Sequence, residues 1–336
     1  PRDIDLVRKP GKLGGILYIA KLLTIVHKLR GYDIVQLINP MFLELKAERI
    51  FSIYRYLRKH NKKVILGGFG MDYYWVHVCC QDKPLRYSDF NIGDKLRNNA
   101  DALKERKEWL GTTKERLNRM IAEDCDGIIT GLYEYWACYY PNFPRKTTFI
   151  PFPIRSYAHT ADISYAIPQK IKLFIGINKL RSEYKGTDIM LKAAQAIAEK
   201  YPEKVELRVA ESLPFKQYVE MMNGSDAILD QLYSYTPSMN PLEAMARGII
   251  CIGGGEPENY EIIHETQLKP ILNVLPTYES VYQQLEQLVL HPERIPQLKK
   301  ESIEYINKHH DYMKVAKKYE EYYKDTLCCQ SEETRL

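Results

Sequence analysis

Three short stretches hold the side chains best suited to chemistry. The first is Ser238-Met-Asn-Pro-Leu-Glu-Ala-Met-Ala-Arg-Gly248. It has the order of a helix start: Asn240 can cap, Pro241 suits the first helical position, and Glu243 falls at the third. The unpaired N–H groups and the dipole at such a start favour an anion such as a diphosphate. Glu243 has a second use there, folding back onto the cap as in a capping box. The second stretch is Phe174-Ile-Gly-Ile-Asn-Lys-Leu-Arg-Ser-Glu-Tyr-Lys-Gly186, an apolar run followed by the cations Lys179, Arg181 and Lys185. By themselves these read as a solvated basic loop before a helix. The third, Gly67-Gly-Phe-Gly-Met-Asp72, follows another apolar run. Its glycines permit close backbone approach or a positive φ, and Asp72 reads as a turn residue. It is not a dinucleotide-binding Gly-x-Gly-x-x-Gly, because no clear helix start and no suitably spaced acid follow.

The remaining chemistry-bearing residues point away from metal. The eight histidines form no His-Glu-x-x-His and the seven cysteines no Cys-x-x-Cys, so no metal site is expected. The odd cysteine count suits reduced thiols in a cytosol better than a disulfide framework.

The elements that must carry these stretches alternate. Apolar runs at 33–39, 63–67, 126–130 and 147–150 read as buried parallel strands, with helices at 43–60 and 12–29 and a basic helix at about 95–119. Pro151-Phe-Pro153 ends that series, and a polar, irregular linker spans about 155–168. The grammar then restarts with strands at 172–176, 205–209, 227–229 and 248–252, and helices at about 186–200, 214–223 and 241–247. Residues 277–327 read as helical throughout. This predicts an α/β protein with two Rossmann-like domains facing across a cleft, the natural ligand site. The expected boundaries are 1–155, 156–310, and a returning helix with its tail at 311–336.

Composition agrees with a folded protein: 336 residues, 45% hydrophobic and 27% charged. No signal peptide pattern is seen, and no run approaches the ~20 apolar residues of a membrane span. The net charge of +5 hides an asymmetry. The first 155 residues carry 27 Lys/Arg against 17 Asp/Glu, and the remainder 21 against 26. Two uses of the basic half stand open, as solvated helices or as a peripheral contact with an anionic membrane. No nucleic-acid motif accompanies it.

The stretch Glu243-Ala-Met-Ala-Arg-Gly248, continued by Ile249-Ile-Cys-Ile-Gly-Gly-Gly-Glu-Pro-Glu258, resembles the donor domain of family-four GT-B glycosyltransferases. The segment ending in Lys185-Gly186, the Gly70-Met-Asp72 loop, and Ala122-Glu-Asp-Cys-Asp-Gly-Ile-Ile-Thr130 are similar to other parts of that family. The resemblance covers about residues 31 to 265 and is strongest from 172 to 258. It implies that Glu243 binds the ribose of a UDP- or GDP-sugar. It implies that amides around Ser238, Met239, Asn240 and Leu242 hold the diphosphate and sugar. Lys185 and Arg181, or Lys179 in place of Arg181, would neutralise the diphosphate. Asp72, on a loop with Gly68 and Gly70, would border the acceptor. One departure concerns the family's two glutamates separated by seven residues: Tyr235 stands where the first is expected.

The resemblance further implies a cytoplasmic enzyme, with a peripheral seat at the inner membrane face as an option, that transfers a sugar to a saccharide or lipid-linked saccharide. It would retain anomeric configuration, need no metal or other cofactor, and serve surface polysaccharide synthesis. A nucleotide-sugar-binding protein impaired by Tyr235, and a GT-B epimerase, are the alternatives. The same resemblance predicts a first βαβ unit ahead of Ile4 that this chain lacks.

Overall fold

The computed structural model describes residues 4, 6–155 and 163–328. Two parallel sheets organise the chain. The first contains β1 (Ile34–Leu37), β2 (Lys63–Gly68), β3 (Gly127–Thr130) and β4 (Thr147–Phe149), in that spatial order. The second contains β5 (Ile171–Ile177), β6 (Val205–Glu211), β7 (Ala227–Leu229), β8 (Ile250–Gly253) and β9 (Leu272–Asn273), ordered β9-β8-β7-β5-β6. Strands β2, β3, β7 and β8 are wholly buried, which explains their unbroken apolar runs.

In the second sheet β5 pairs with β6 on one side and β7 on the other. The connections therefore leave β5 in opposite directions, which opens a crevice at the carboxyl ends of β5 and β7. Helices cover the sheets with apolar stripes. Ile50, Tyr54 and Leu57 face inward from Ala47–His60, and Met190, Ala193, Ala194 and Ile197 from Thr187–Lys200. Helix Tyr312–Cys328 crosses back to the first sheet, where Val315 joins a cluster with Ile65, Ile129 and Ile150. Just before it, Ile154 and Asp311 lie side by side, with the Ile154 N–H donating to the His310 carbonyl at 2.7 Å.

Several expected elements differ. The basic helix at 95–119 is instead a hairpin (Asn91–Ile92 with Lys95–Leu96) followed by helices Ala100–Trp109 and Thr113–Asp124. Asn99 caps the first of these through the Ala102 N–H, and Gly111 lies in the turn between them. The single helical stretch at 277–327 divides into Tyr278–Leu290, Ile295–Tyr305, a π-helical turn at Ile306–His310, and Tyr312–Cys328. Thr277 caps the first. Pro292, lacking an N–H, stands just past that helix's end. A helix does start directly after the Gly67–Asp72 loop, at Tyr73–Gln81. Part of the expected linker (156–162) and the tail beyond 328 lie outside the described residues.

Helix Gly11–Ile25 buries Gly14, Tyr18 and Leu22 but leaves Leu13, Ile16, Leu17 and Leu23 more than half exposed. Its apolar residues therefore do not all pack on the sheet, contrary to the simplest reading of its pattern.

Candidate functional site

The loops after β5 and β7 are joined at the crevice. Gly186 ends the short helix Ser182–Lys185 with φ +72°, a conformation that disfavours side chains, and a Cβ there would meet that of Leu232 at 2.6 Å. The Leu232 N–H donates to the Lys185 carbonyl at 2.9 Å. This fixes Lys185, half-buried, beside Asp230 at the end of β7. Loss of water pushes the Asp230 carboxyl up to about 6, against the pull of the Lys185 charge.

The other two cations part company. Arg181 is half-buried, with its guanidinium 4.7 Å from the centre of the Tyr184 ring. Lys179 is exposed and pairs with Glu211 at the end of β6, at 2.6 Å.

The helix after β7 begins two residues earlier than the sequence order suggests. Ser238 is the cap residue, and the helix runs Met239–Met245. Asn240 and Pro241 thus lie inside the first turn. The Glu243 carboxylate does not fold back onto the cap; it pairs with Arg247 one turn on, at 2.6 Å. Met239 and Asn240 are exposed, Glu243 is half-buried, and Leu242 is packed in the core.

Tyr235 is almost fully buried where the two domains meet. Its ring stacks with that of Tyr133, centre to centre 6.1 Å, and tilts against Tyr87 at 4.9 Å. Its hydroxyl accepts the Arg86 backbone N–H at 2.6 Å, and burial pushes that hydroxyl up to about 12.

Around Tyr235 the first domain reaches across at three points. Arg86 bonds Glu258 through both nitrogens (2.6 and 3.0 Å) and Glu256 at 2.7 Å, while the Tyr87 hydroxyl donates to Glu256. Arg97 donates to the carbonyls of Glu183 (2.8 Å) and Tyr184 (3.0 Å) and lies 3.4 Å from the centre of the Tyr233 ring. The Glu134 carboxylate accepts the N–H groups of Tyr235 (2.7 Å) and Thr236 (3.0 Å) and the Thr236 hydroxyl, and lies 3.0 Å from the Ser234 hydroxyl, whose one proton also reaches the Thr236 carbonyl at 2.6 Å.

Arg86, Arg97 and Glu134 do not stand out in the sequence. Arg97 reads there as one charge of a solvated helix, and Glu134 as one acid in an aromatic-rich stretch. Their partners lie 86 to 172 residues away, beyond any periodicity.

On the opposite side, Asp72 is wholly buried. It caps helix Tyr73–Gln81 by accepting the Trp75 N–H at 2.9 Å, and accepts the Tyr139 hydroxyl at 2.7 Å. Burial outweighs these bonds and pushes its carboxyl up to about 6. Gly68 closes β2, where a Cβ would strike the Tyr139 ring at 2.9 Å; Gly70 lies in freer space. In this arrangement a direct acceptor contact by Asp72 would require the loop to open.

A cavity of about 740 Å³ opens elsewhere, at the amino ends of β5, β7 and β8, lined by Lys172, Asp226 and Ile249 among others. Among the described residues, no cluster of three or more His, Cys, Asp or Glu is placed to hold a metal ion, and no helix is long and apolar enough to cross a membrane.

The two facing Rossmann-like domains, with the crevice loops at their junction, define the GT-B glycosyltransferase fold. No protein-family model and no curated protein sequence matches the chain. Solved structures do. A mutant of S. aureus TarM, crystallised with Fondaparinux, α-GlcNAc-glycerol and UDP, superimposes with a TM-score of 0.60 at 11% identity, covering 91% of this chain. This chain spans 59% of TarM's length. Sucrose-phosphate synthase from Thermosynechococcus elongatus gives 0.61 at 12% identity, covering 93% of this chain and 78% of that one. Anabaena Alr3699/HepE, in complex with UDP and glucose, gives 0.58 at 11% identity, covering 94% and 84%.

Proposed function

We propose that this chain is a glycosyltransferase that takes a sugar from a nucleoside diphosphate, UDP- or GDP-linked, to a saccharide or lipid-linked saccharide. One observation carries the reading. Lys185, the 234–238 backbone and the Glu256–Glu258 segment converge at the crevice between β5 and β7, facing the other domain, in a fold shared with proteins crystallised with UDP. Lys185 and Arg181 then neutralise the diphosphate as the sugar leaves. Glu243 serves the ribose, and backbone groups from Ser238 to Leu242 face the diphosphate and sugar. Asp72 supports the acceptor-side loop from within. Retention of configuration, a reaction without metal, a cytoplasmic site of action and a role in surface polysaccharide assembly belong to this proposal through the family-four resemblance.

The test is a panel of UDP- and GDP-sugars given to the full chain. Release of the nucleotide with transfer or hydrolysis of the sugar supports the reading. A protein that neither binds nor turns over any of them sinks it. The burial of Tyr235, where the family carries a glutamate, favours a second reading, a protein that binds the donor without transferring it. Tight binding with no turnover of any donor decides for that one.

The exposed Leu13, Ile16, Leu17 and Leu23, on a helix that follows Arg8 and Lys9 and bears Lys12, are the residues that a peripheral contact with anionic lipid would use. Co-sedimentation with phosphatidylserine vesicles, absent with neutral vesicles, is the expected result.

A further inference from the structure

We infer that Glu134 is a cross-domain positioning residue, shaping the loop after β7 for the nucleotide sugar only while the two domains are closed. The inference rests on the glycosyltransferase reading and assigns one of its controls. Glu134 belongs to helix Tyr133–Tyr139 of the first domain, yet its side chain accepts the Tyr235 and Thr236 N–H groups and the Thr236 hydroxyl of the second, beside the Ser234 hydroxyl.

Residues 230–238 form neither helix nor strand, and the buried Tyr235 and Thr236 N–H groups join no ladder. A carboxylate, which only accepts and offers about four lone-pair sites, suits the two backbone N–H groups and the Thr236 hydroxyl, while the single Ser234 proton is shared with the Thr236 carbonyl at 2.6 Å. Glu134 is 4% exposed, so its charge is compensated by those donors rather than by water. The loop so held leads directly into Ser238 and helix Met239–Met245, which bears Glu243. Opening the cleft strips the loop of its acceptor and frees Tyr235 and Thr236. Donor affinity is therefore coupled to closure through one side chain that need not touch the donor.

The experiment compares wild type, Glu134→Ala and Glu134→Gln in the full chain. Hydrogen exchange reads the loop amides, titration calorimetry with UDP and GDP reads affinity, and thermal melting reads stability. In Glu134→Ala the Tyr235 and Thr236 amides should exchange faster, and the folded protein should bind nucleotide about tenfold more weakly. Glu134→Gln keeps one acceptor oxygen and should recover most of that affinity. Unchanged loop protection in Glu134→Ala overturns the inference. So does a lowered melting point with UDP affinity unaltered, the mark of a merely structural carboxylate. Should Glu134→Ala fail to fold, Glu134→Met, which keeps the side-chain length without an acceptor, decides by the same exchange readout, with faster loop exchange expected and unchanged exchange fatal. A wild type that binds neither nucleotide overturns the glycosyltransferase reading instead, and loop exchange still judges whether Glu134 holds the loop.

Discussion

The loop after β2 is fastened by its own domain, and the loop after β7 by both: the Leu232 N–H and the Tyr235 carbonyl bond Lys185 and Glu256 of its own domain. Asp72 turns to Trp75 and Tyr139 within the first domain, and the Tyr73 N–H is taken by Asn118 at 2.9 Å. Ser234, Tyr235 and Thr236 turn outward to Glu134, and the neighbouring segments turn to Arg86 and Arg97. A loop held from within keeps its shape whether the cleft is open or closed; one held partly from outside loses those bonds when the cleft opens. The proposed acceptor face is thus preformed, and the proposed donor face is completed by docking.

The largest effect that can break this contrast is expected at Arg97. Arg97→Ala removes a buried fork from four carbonyl groups and one ring face, and should cost about 3 kcal/mol with a larger radius of gyration in solution scattering. A loss of stability with no change in radius would mean the domains do not rely on it.

The next effect belongs to Asp72 and is read by pH. Its carboxyl is held at about 6, above its ordinary value, so between the two values the folded state keeps a proton that the unfolded chain has released. Its contribution is fully present below about pH 4 and is lost as pH rises through 6. The stability of wild type relative to Asp72→Asn should therefore be greater at pH 5 than at pH 7, by about 1–2 kcal/mol. The radius of gyration should be the same in both proteins.

Lys185→Ala should weaken UDP or GDP binding about tenfold, near 1.4 kcal/mol, with little effect on melting. Unaltered affinity removes Lys185 from the diphosphate site. The smallest effect is expected at Arg86, whose side chain is 55% exposed. Arg86→Gln should cost about 1 kcal/mol or less and narrow the difference between low and high salt.

The fold is legible in the sequence because parallel strands buried on both faces are continuous apolar runs. Residues 63–67 and 248–252 could scarcely be anything else. Helix limits are less so. Asn240 and Pro241 look like a cap and a first turn, but Ser238 takes the capping position. The hairpin around Gly93 interrupts what charge alone paints as one basic helix. Lys185 and Glu243, proposed for the donor site, stand out through the family resemblance of the stretches that hold them. Arg86, Arg97 and Glu134 do not, because what they do depends on a second domain more than eighty residues away.

The pairing of Ile154 with Asp311 has a mechanical consequence. The chain passes between the domains twice, once on the way out and once on the return, and the two passages run adjacent at this point. A protease cut at the return passage would leave the halves covalently joined through the first, whereas a cut at the first would leave them held by the packing of helix Tyr312–Cys328 on the first sheet and by the junction contacts.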